Sequence, residues 1–369
     1  MYLESLSLVN FKNLEEVDIR FSPDLNCFIG NNGAGKTNLM DAIYYLSFCK
    51  SFINPADNMN IRHQEDFFFI QGKYQRFDQE ESIYCGLKAG QKKHFKRNRK
   101  EYKKLAEHIG LLPLVIVTPS DIELIMGGSE ERRKFLDALI SQYDHVYLDH
   151  LIRYNRALLQ RNKLLKQFAS ERFFRKDLLE VWDDQLVRFG MLIHEKRVEY
   201  IQHLQPVFQD YYELISAGKE KIGLIHQSQL YENDFQSLMT ENQQKDCLLQ
   251  FTSAGIHKDD IIFTLGNYPI KKLGSEGQKK TFLVALKLAQ FDFIKKMSGL
   301  TPVLLLDDIF DKLDKHRVKQ IVKLVADDHF GQIFITDTNR EHLDQIIHEV
   351  SAGSKIFLVY NGTVKEAGL

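Results

Sequence analysis

Apolar and polar positions alternate across residues 1–29, with Leu3, Leu6, Leu8 and Phe11 followed by Val17, Ile19 and Phe21. A period of two predicts a pair of strands, with Lys12-Asn13-Leu14 in the turn between them. Lys12 reads either as a solvated turn lysine or as a cation reaching a bound ligand. The short apolar run Leu25–Ile29 predicts a buried strand. Leu39, Ala42, Ile43 and Leu46 then recur at helical spacing and predict a helix. Aromatic and β-branched residues at Phe67–Tyr74 and Ser82–Leu87 predict two more strands. Leu114–Asp121 reads as a buried strand ended by a proline turn. From Glu130 to about Glu213 the period becomes helical. Phe135, Leu136 and Leu139 mark one helix, Leu151, Tyr154, Leu158 and Leu165 a longer one, and Trp182, Leu186, Phe189, Leu192 and Ile193 a third. Strand patterning returns at Leu224–His226, Leu248–Thr252 and Ile261–Leu265, then at Val303–Leu306, Ile333–Thr336 and Lys355–Tyr360, the last closing the sheet. Between them, Phe282, Ala285, Leu286, Ala289 and Phe293 share one helical face.

Composition narrows the class without deciding it. A chain of 369 residues with 44% hydrophobic and 27% charged residues is an ordinary globular protein of one large or two smaller domains. No window approaches the ~18–20 uncharged apolar residues of a membrane span. The N-terminus lacks a basic region followed by an apolar core, so no secretion signal is expected. The four cysteines lie far apart and read as reduced thiols, which fits a cytoplasmic protein. A net charge of −1 gives no overall attraction to nucleic acid, so any such binding needs local patches. The run Lys92–Lys104 is one candidate. It reads as a hairpin turning at Asn98-Arg99 with lysines guarding its edge, as a phosphate-backbone contact, or as both. Arg153, Arg156, Arg161, Lys163 and Lys166 stud the long helix; a solvated face is the simplest reading and DNA contact the other.

The chemistry starts at Gly30-Asn31-Asn32-Gly33-Ala34-Gly35-Lys36-Thr37, which fits the phosphate-loop pattern G-x-x-x-x-G-K-[ST]. A strand precedes it and a helix follows, the context the motif requires. The glycines let backbone N–H groups approach an anion at a helix start. Lys36 supplies a cation for the β- and γ-phosphates of ATP, and Thr37 offers a hydroxyl to Mg²⁺. Ser275-Glu276-Gly277-Gln278 opens a helix and forms a second anion-binding terminus. The strand Val303–Leu306 ends in Asp307-Asp308, the Walker B arrangement. Asp307 would hold Mg²⁺, directly or through water, and Asp308 would position or deprotonate the attacking water. Asp311–Asp314 follows at D-loop spacing, and Asp337 and Thr338 sit where the γ-phosphate would be sensed.

This order of motifs resembles ABC-type ATPases and, within them, the RecF family of DNA-repair proteins, over essentially the whole chain. Arg132–Asp137, Gln160–Lys166 and Gly255–Asp260 resemble segments of that family that transporter ATPases lack. The resemblance implies an α/β fold: an ABC/SMC-like P-loop ATPase head with a mainly helical inserted arm. The boundaries read as 1–118 for the first part of the core, 119–247 for the arm, and 248–369 for the second part of the core. It also implies a homodimer that forms with ATP on double-stranded DNA, including single-strand/double-strand junctions. RecR and RecO partners would load recombinase at gaps and stalled forks, with ties to DNA replication, recombination and the SOS response. Ser275, Gly277 and Gln278 of one copy would then cover the nucleotide held by Gly30–Thr37 of the other.

Departures from the family pattern sharpen the expectation. Asp308 stands where many ABC proteins have glutamate, which points to slow turnover, and the family resemblance implies a weak ATPase that DNA stimulates. Thr338 replaces the histidine of transporters, Asp311 replaces a common D-loop serine, and Ser120 or Asp121 occupies the region where a glutamine is usual. Among rivals, a transporter ATPase would have about half this spacing between its Walker motifs. A nuclease would need a further acidic metal cluster. A nucleotide-gated scaffold with vestigial hydrolysis fits the same motifs, and the paired acids favour an enzyme over it.

Overall fold

A computed structural model describes residues 1–54, 56–171, 173–218, 220–310, 313–325, 328–338 and 353–367. The strands are β1 (Tyr2–Phe11), β2 (Leu14–Arg20), β3 (Leu25–Ile29), β4 (Phe67–Arg76), β5 (Gln79–Lys88), β6 (His94–Arg97), β7 (Lys100–Glu101), β8 (Leu114–Val117), β9 (Ile222–Gln227), β10 (Asp260–Leu265), β11 (Tyr268–Pro269), β12 (Val303–Asp307), β13 (Ile333–Asp337), β14 (Ser354–Tyr360) and β15 (Thr363–Ala367). The helices are α1 (Lys36–Phe48), α2 (Ile122–Met126), α3 (Ser129–Ile140), α4 (His145–Glu171), α5 (Lys176–Ser216), α6 (Phe235–Glu241), α7 (Gln243–Leu249), α8 (Ile270–Leu273), α9 (Glu276–Ser298) and α10 (Lys315–Val325). Two compact units result. One comprises Met1–Asp121, Leu214–Ala217 and Glu276–Leu369; the other comprises Ile122–Glu213 and Gly218–Ser275.

The first unit carries two sheets. Antiparallel strands in the order β2-β1-β4-β5-β6-β7 form one, and β15-β14-β3-β13-β12-β8 form the other. In the second sheet β14, β3, β13, β12 and β8 run parallel. Parallel strands are buried on both faces and read as continuous apolar runs, which is how β12 and β13 read, with every residue buried. Helix α1 supplies Leu39, Ala42, Ile43 and Leu46 to a core shared with Leu3, Leu6, Phe11, Phe28 and Phe334. Helix α9 is buried at every position from Thr281 to Phe291. The sheet does not end at β14: β15 pairs with it antiparallel and forms the edge.

The basic run Lys92–Lys104 contains the expected hairpin, with Asn98 and Arg99 both in left-handed backbone at the turn. Its lysines are not all on an exposed edge. Lys93 is largely buried, where it pairs with Asp57 at 2.9 Å and donates to the Cys49 carbonyl at 2.6 Å. Lys12 is not a solvated turn lysine. It pairs with the fully buried Asp41 at 2.5 Å, and burial lowers its pKa.

The second unit is built from α2–α8 and the small sheet β11-β10-β9. It takes in residues 248–275 as well as most of the expected arm, because β10 pairs with β9 over six residues and α3 packs against β10. The strand expected at Leu248–Thr252 is absent. Helix α7 runs to Leu249, and Gln250 in left-handed backbone ends it. Thr252 turns inward to accept from Arg161 and to donate to Asn162. Arg161 therefore does not belong to a basic face: it is fully buried between Asp183 and Asp246. Among the described residues no helix is long and apolar enough to cross a membrane.

Candidate functional site

Ligands of open parallel sheets bind beyond the carboxyl ends of the strands. Here those ends belong to β3, β13 and β12, in that order across the sheet. The register sets Ile29 beside Asp337, and Thr336 between Phe28 and Asp307. Gly30, the start of the phosphate loop, is thus one residue beyond β3, and the two acids at the end of β12, Asp307 and Asp308, lie across one intervening strand.

The loop's shape is fixed from three directions. Gly35 has φ +121°, a conformation closed to side chains, and a Cβ there would meet Leu14 Cδ2 at 2.9 Å. Gly30 lies against the Val359 carbonyl of β14, too close for any side chain. Asn13, from the β1–β2 turn, donates to the Gly33 carbonyl at 3.1 Å and accepts from Asn38 Nδ2 at 2.7 Å. The Gly362 N–H donates to the Ala34 carbonyl at 3.0 Å. Asn31, Asn32 and Gly33 remain exposed on the outside of this cradle.

Lys36 opens α1 and is buried, yet it has no carboxylate partner among the described residues. Its ammonium donates to the Gly30 carbonyl at 2.7 Å and the Asn31 carbonyl at 3.3 Å. Thr37 Oγ1 lies 3.1 and 3.0 Å from the two oxygens of Asp307. Asp307 is buried, and that burial raises its pKa; the nearby Asp308 charge adds to the rise, while bonds from Thr336 and Thr37 oppose it. Its hydrogen bonds come from two hydroxyls rather than from a cation. A buried carboxylate facing a threonine hydroxyl and short of positive charge fits an oxygen-bound divalent ion. Thr37 and Asp307 would hold Mg²⁺, and Lys36 with the Gly30–Gly35 backbone would hold phosphates.

Thr336 is the residue that sequence reading missed. Its hydroxyl donates to Asp307 Oδ1 at 2.7 Å and accepts from the Asp308 N–H at 2.9 Å. One side chain thereby fixes both acids. Asp308 has φ +46°, uncommon for a residue with a side chain, and the Thr336 bond holds it there. The carboxylate of Asp308 is partly exposed at the strand end.

Other expected residues are not gathered here. Thr338 is exposed just past β13, while Asp337 is buried. Ser275 is exposed and immediately precedes α9. The Arg317 guanidinium of α10 lies over Gly277, and a side chain at that position would have to push it aside. Asp121, in the region where a glutamine is usual, pairs with Lys287 at 2.7 Å. Asp311 lies outside the described residues.

Comparison with known proteins agrees with this geometry. The family model described as the RecF/RecN/SMC N terminal domain matches residues 2–364. The DNA replication and repair protein RecF of Phocaeicola vulgatus is 55% identical over 368 residues, 99% of this chain and 98% of that protein. RecF of Flavobacterium johnsoniae is 49% identical over 357 residues, covering 97% and 99%. A solved structure of the recombination mediator protein RecF-ATP in the RecFOR pathway superposes with a TM-score of 0.89 at 31% identity, covering 100% of this chain and 98% of that one. An Smc head domain from Pyrococcus furiosus superposes with a TM-score of 0.58 at 20% identity, covering 100% and 96%, a likeness of fold alone.

Proposed function

The chain belongs to the RecF branch of the RecF/RecN/SMC N-terminal domain family, and from that premise we propose that it is an ATP-dependent DNA-binding repair protein. In this reading it dimerises on double-stranded DNA with ATP, hydrolyses the nucleotide slowly, and releases the DNA afterwards. The observation that carries the reading is the Thr37–Asp307–Thr336–Asp308 cluster beside the phosphate loop. These are the parts that phosphoryl transfer needs, where positioning and charge stabilisation supply most of the catalysis.

Lys36 exchanges two loop carbonyls for phosphate oxygens. Thr37 and Asp307 present their oxygens to Mg²⁺, which neutralises phosphate charge when bound. Asp308, pinned through its N–H, aims its carboxylate at water. Ser275 and the Gly277 and Gln278 N–H groups of a second copy cover the γ-phosphate, and Thr338 with Asp337 reads its presence. The γ-phosphate is then the differential contact that favours the dimer. Dimerisation doubles each basic segment, which lets a chain of nearly zero net charge hold duplex. RecR and RecO partnership, action at single-strand/double-strand junctions and a cytoplasmic setting follow from the relatives' repair role. We divide the chain into an ATPase core and an inserted arm on the same basis.

Sedimentation with ATP·Mg²⁺, with ADP and with neither, each with and without short duplex at two salt concentrations, tests this. The expected result is a dimer only with ATP, and duplex binding that weakens with salt. A monomer under every condition, without DNA binding, would overturn the proposal. Ser275→Arg should bind ATP yet stay monomeric. Asp308→Asn should hold the ATP dimer, and normal phosphate release by it would exclude Asp308 as the water-positioning group.

A further inference from the structure

The arm unit contains a second polar cluster that the nucleotide chemistry does not use. Helix α5 supplies His194, β9 supplies His226, and the residue before β10 is Asp259. One ligand atom from each lies within 4.8 Å of the other two. Three side-chain atoms at this point are buried without any hydrogen-bond partner: His194 Nδ1, His226 Nε2 and Asp259 Oδ1. Unpaired buried polar atoms are costly and rare in folded proteins. Three such atoms, one on each residue of this cluster, are the pattern a bound cation resolves.

We propose that His194 Nδ1, His226 Nε2 and Asp259 Oδ1 bind a first-row divalent transition metal ion, with Zn²⁺ the ion that two imidazoles and a carboxylate suit. Zinc sites with three protein ligands keep a fourth position for water. Bonds of about 2.0–2.2 Å require the three atoms to close to about 3.4 Å from one another, a small rotation of each side chain.

The surroundings are those of a supported site. Tyr231 Oη lies 2.9 Å from His226 Nδ1 and can accept its proton, which leaves Nε2 free as the ligand. The other oxygen of Asp259 accepts from Arg197 Nη1 at 3.0 Å, so the carboxylate is oriented. Arg133 Nη1 donates to the Asp259 carbonyl at 2.6 Å and fixes the backbone there. Burial and the neighbouring His226 hold the His194 pKa below its usual value, which keeps its lone pair available at neutral pH. The rival arrangement is metal-free, with His226 Nε2 facing Asp259 Oδ2 at 3.5 Å. It leaves His194 Nδ1 and Asp259 Oδ1 unpaired. The ion would tie the middle of α5 to the lead-in of β10, acting as a staple rather than as a reagent.

The test uses full-length protein stripped with chelator and kept in excess Mg²⁺, which occupies the nucleotide site. Zn²⁺ uptake is measured by elemental analysis after dialysis, and Co²⁺ uptake by its visible absorption. The expected result is one equivalent of Zn²⁺ and a tetrahedral Co²⁺ spectrum without a thiolate charge-transfer band, since the four cysteines lie elsewhere. Addition of Zn²⁺ should raise the Tm. His194→Ala and His226→Ala should abolish uptake, and Tyr231→Phe should weaken it ~10–100-fold. His63→Ala, an exposed histidine outside the cluster, should change nothing. Should the two ligand variants fail to fold, the wild-type spectrum and Tyr231→Phe still decide. No zinc uptake by wild-type protein, a thiolate band, or unchanged uptake in Tyr231→Phe together with either ligand variant that folds would overturn the site.

Discussion

Lys36 of the core and Arg161 of the arm are both buried cations, and they are held in different ways. The Lys36 ammonium rests on two backbone carbonyls of its own loop. Neutral acceptors of this kind are weak partners that an anion displaces. Arg161 is clasped by two carboxylates, with Nε 2.5 Å from Asp183 and Nη1 2.6 Å from Asp246, and by Thr252 at 3.0 Å. Arg197 repeats the pattern in the same unit, buried between Asp137 and Asp259. A cation satisfied by fixed charges is part of the fold. A cation lent to carbonyls is ready for a ligand. The difference separates segments that act from segments that hold, although both are rich in charged residues.

Arg161→Ala gives the largest effect expected. It strands Asp183 and Asp246 without their counter-charge, and breaking a buried pair from one side costs about 3–5 kcal/mol. Urea unfolding should show the loss. If the variant unfolds at the wild-type midpoint, Arg161 is not the keystone its burial suggests, and its contrast with Lys36 collapses.

Lys36→Ala should do the reverse. Only loop carbonyls lose a donor, so stability should change by less than about 1 kcal/mol. ATP affinity, read by fluorescent-nucleotide titration, should fall at least ~10-fold, because charge-assisted contacts to phosphate are the stronger ones. A large stability loss with ATP binding retained would place Lys36 in the same class as Arg161.

Thr336→Val sharpens the comparison, because it asks whether the nucleotide site has a structural share of its own. The substitution removes a donor to Asp307 and an acceptor for the Asp308 N–H. The expected loss is about 1–3 kcal/mol, the cost of leaving buried polar groups unpaired. Mg²⁺-dependent ATP binding should weaken as well, since Asp307 loses its orientation. An unchanged midpoint and unchanged Mg²⁺ dependence would show that the acids are held by the strand alone.

What the sequence made legible follows the same division. The phosphate loop could be read because every constraint on it is local: strand, glycines, lysine and helix are contiguous from Leu25 to Leu46. Asp307-Asp308 could be read because an apolar strand leads directly into the acids. Thr336 could not, because its role depends on the register that sets β13 beside β12, and Asn13 could not, because it reaches the loop from another sheet. Arg161 carries a signal in its spacing. It falls seven residues after Tyr154 and four before Leu165, on the buried stripe of α4 rather than on its charged face. The charged segments Arg132–Asp137 and Gly255–Asp260 were legible as family features but not as packing. In the fold they meet, with Arg132 Nε 2.7 Å from Asp260 and Arg197 bridging Asp137 to Asp259.

The smallest contribution per group expected at a buried site that loses stability is a pH dependence shared by the two units, and it tests whether their interiors differ in polarity as well as in partners. His108 in the core and His257 in the arm both have pKa values pushed down to about 4 by burial. His108 bonds to the Leu46 carbonyl and Tyr102, and His257 to the Thr252 carbonyl and Tyr154, contacts that fit a neutral ring. The unfolded chain binds protons at each histidine near pH 6.5, whereas the folded protein does not until about pH 4. Between those values the unfolded state holds more protons, so stability rises with pH and is lost as pH falls. Each ring should account for roughly 1–2 kcal/mol of loss by pH 5.5. Urea midpoints measured at pH 7.5 and 5.5 should therefore separate. His108→Gln and His257→Gln should each remove one share of that separation, whatever they do to stability at pH 7.5. Equal shares would mean that burial alone sets the histidines, as it does not set the cations. A share seen only for His108 would mean that the carboxylates around Arg197 soften the arm's interior enough to admit a proton at His257.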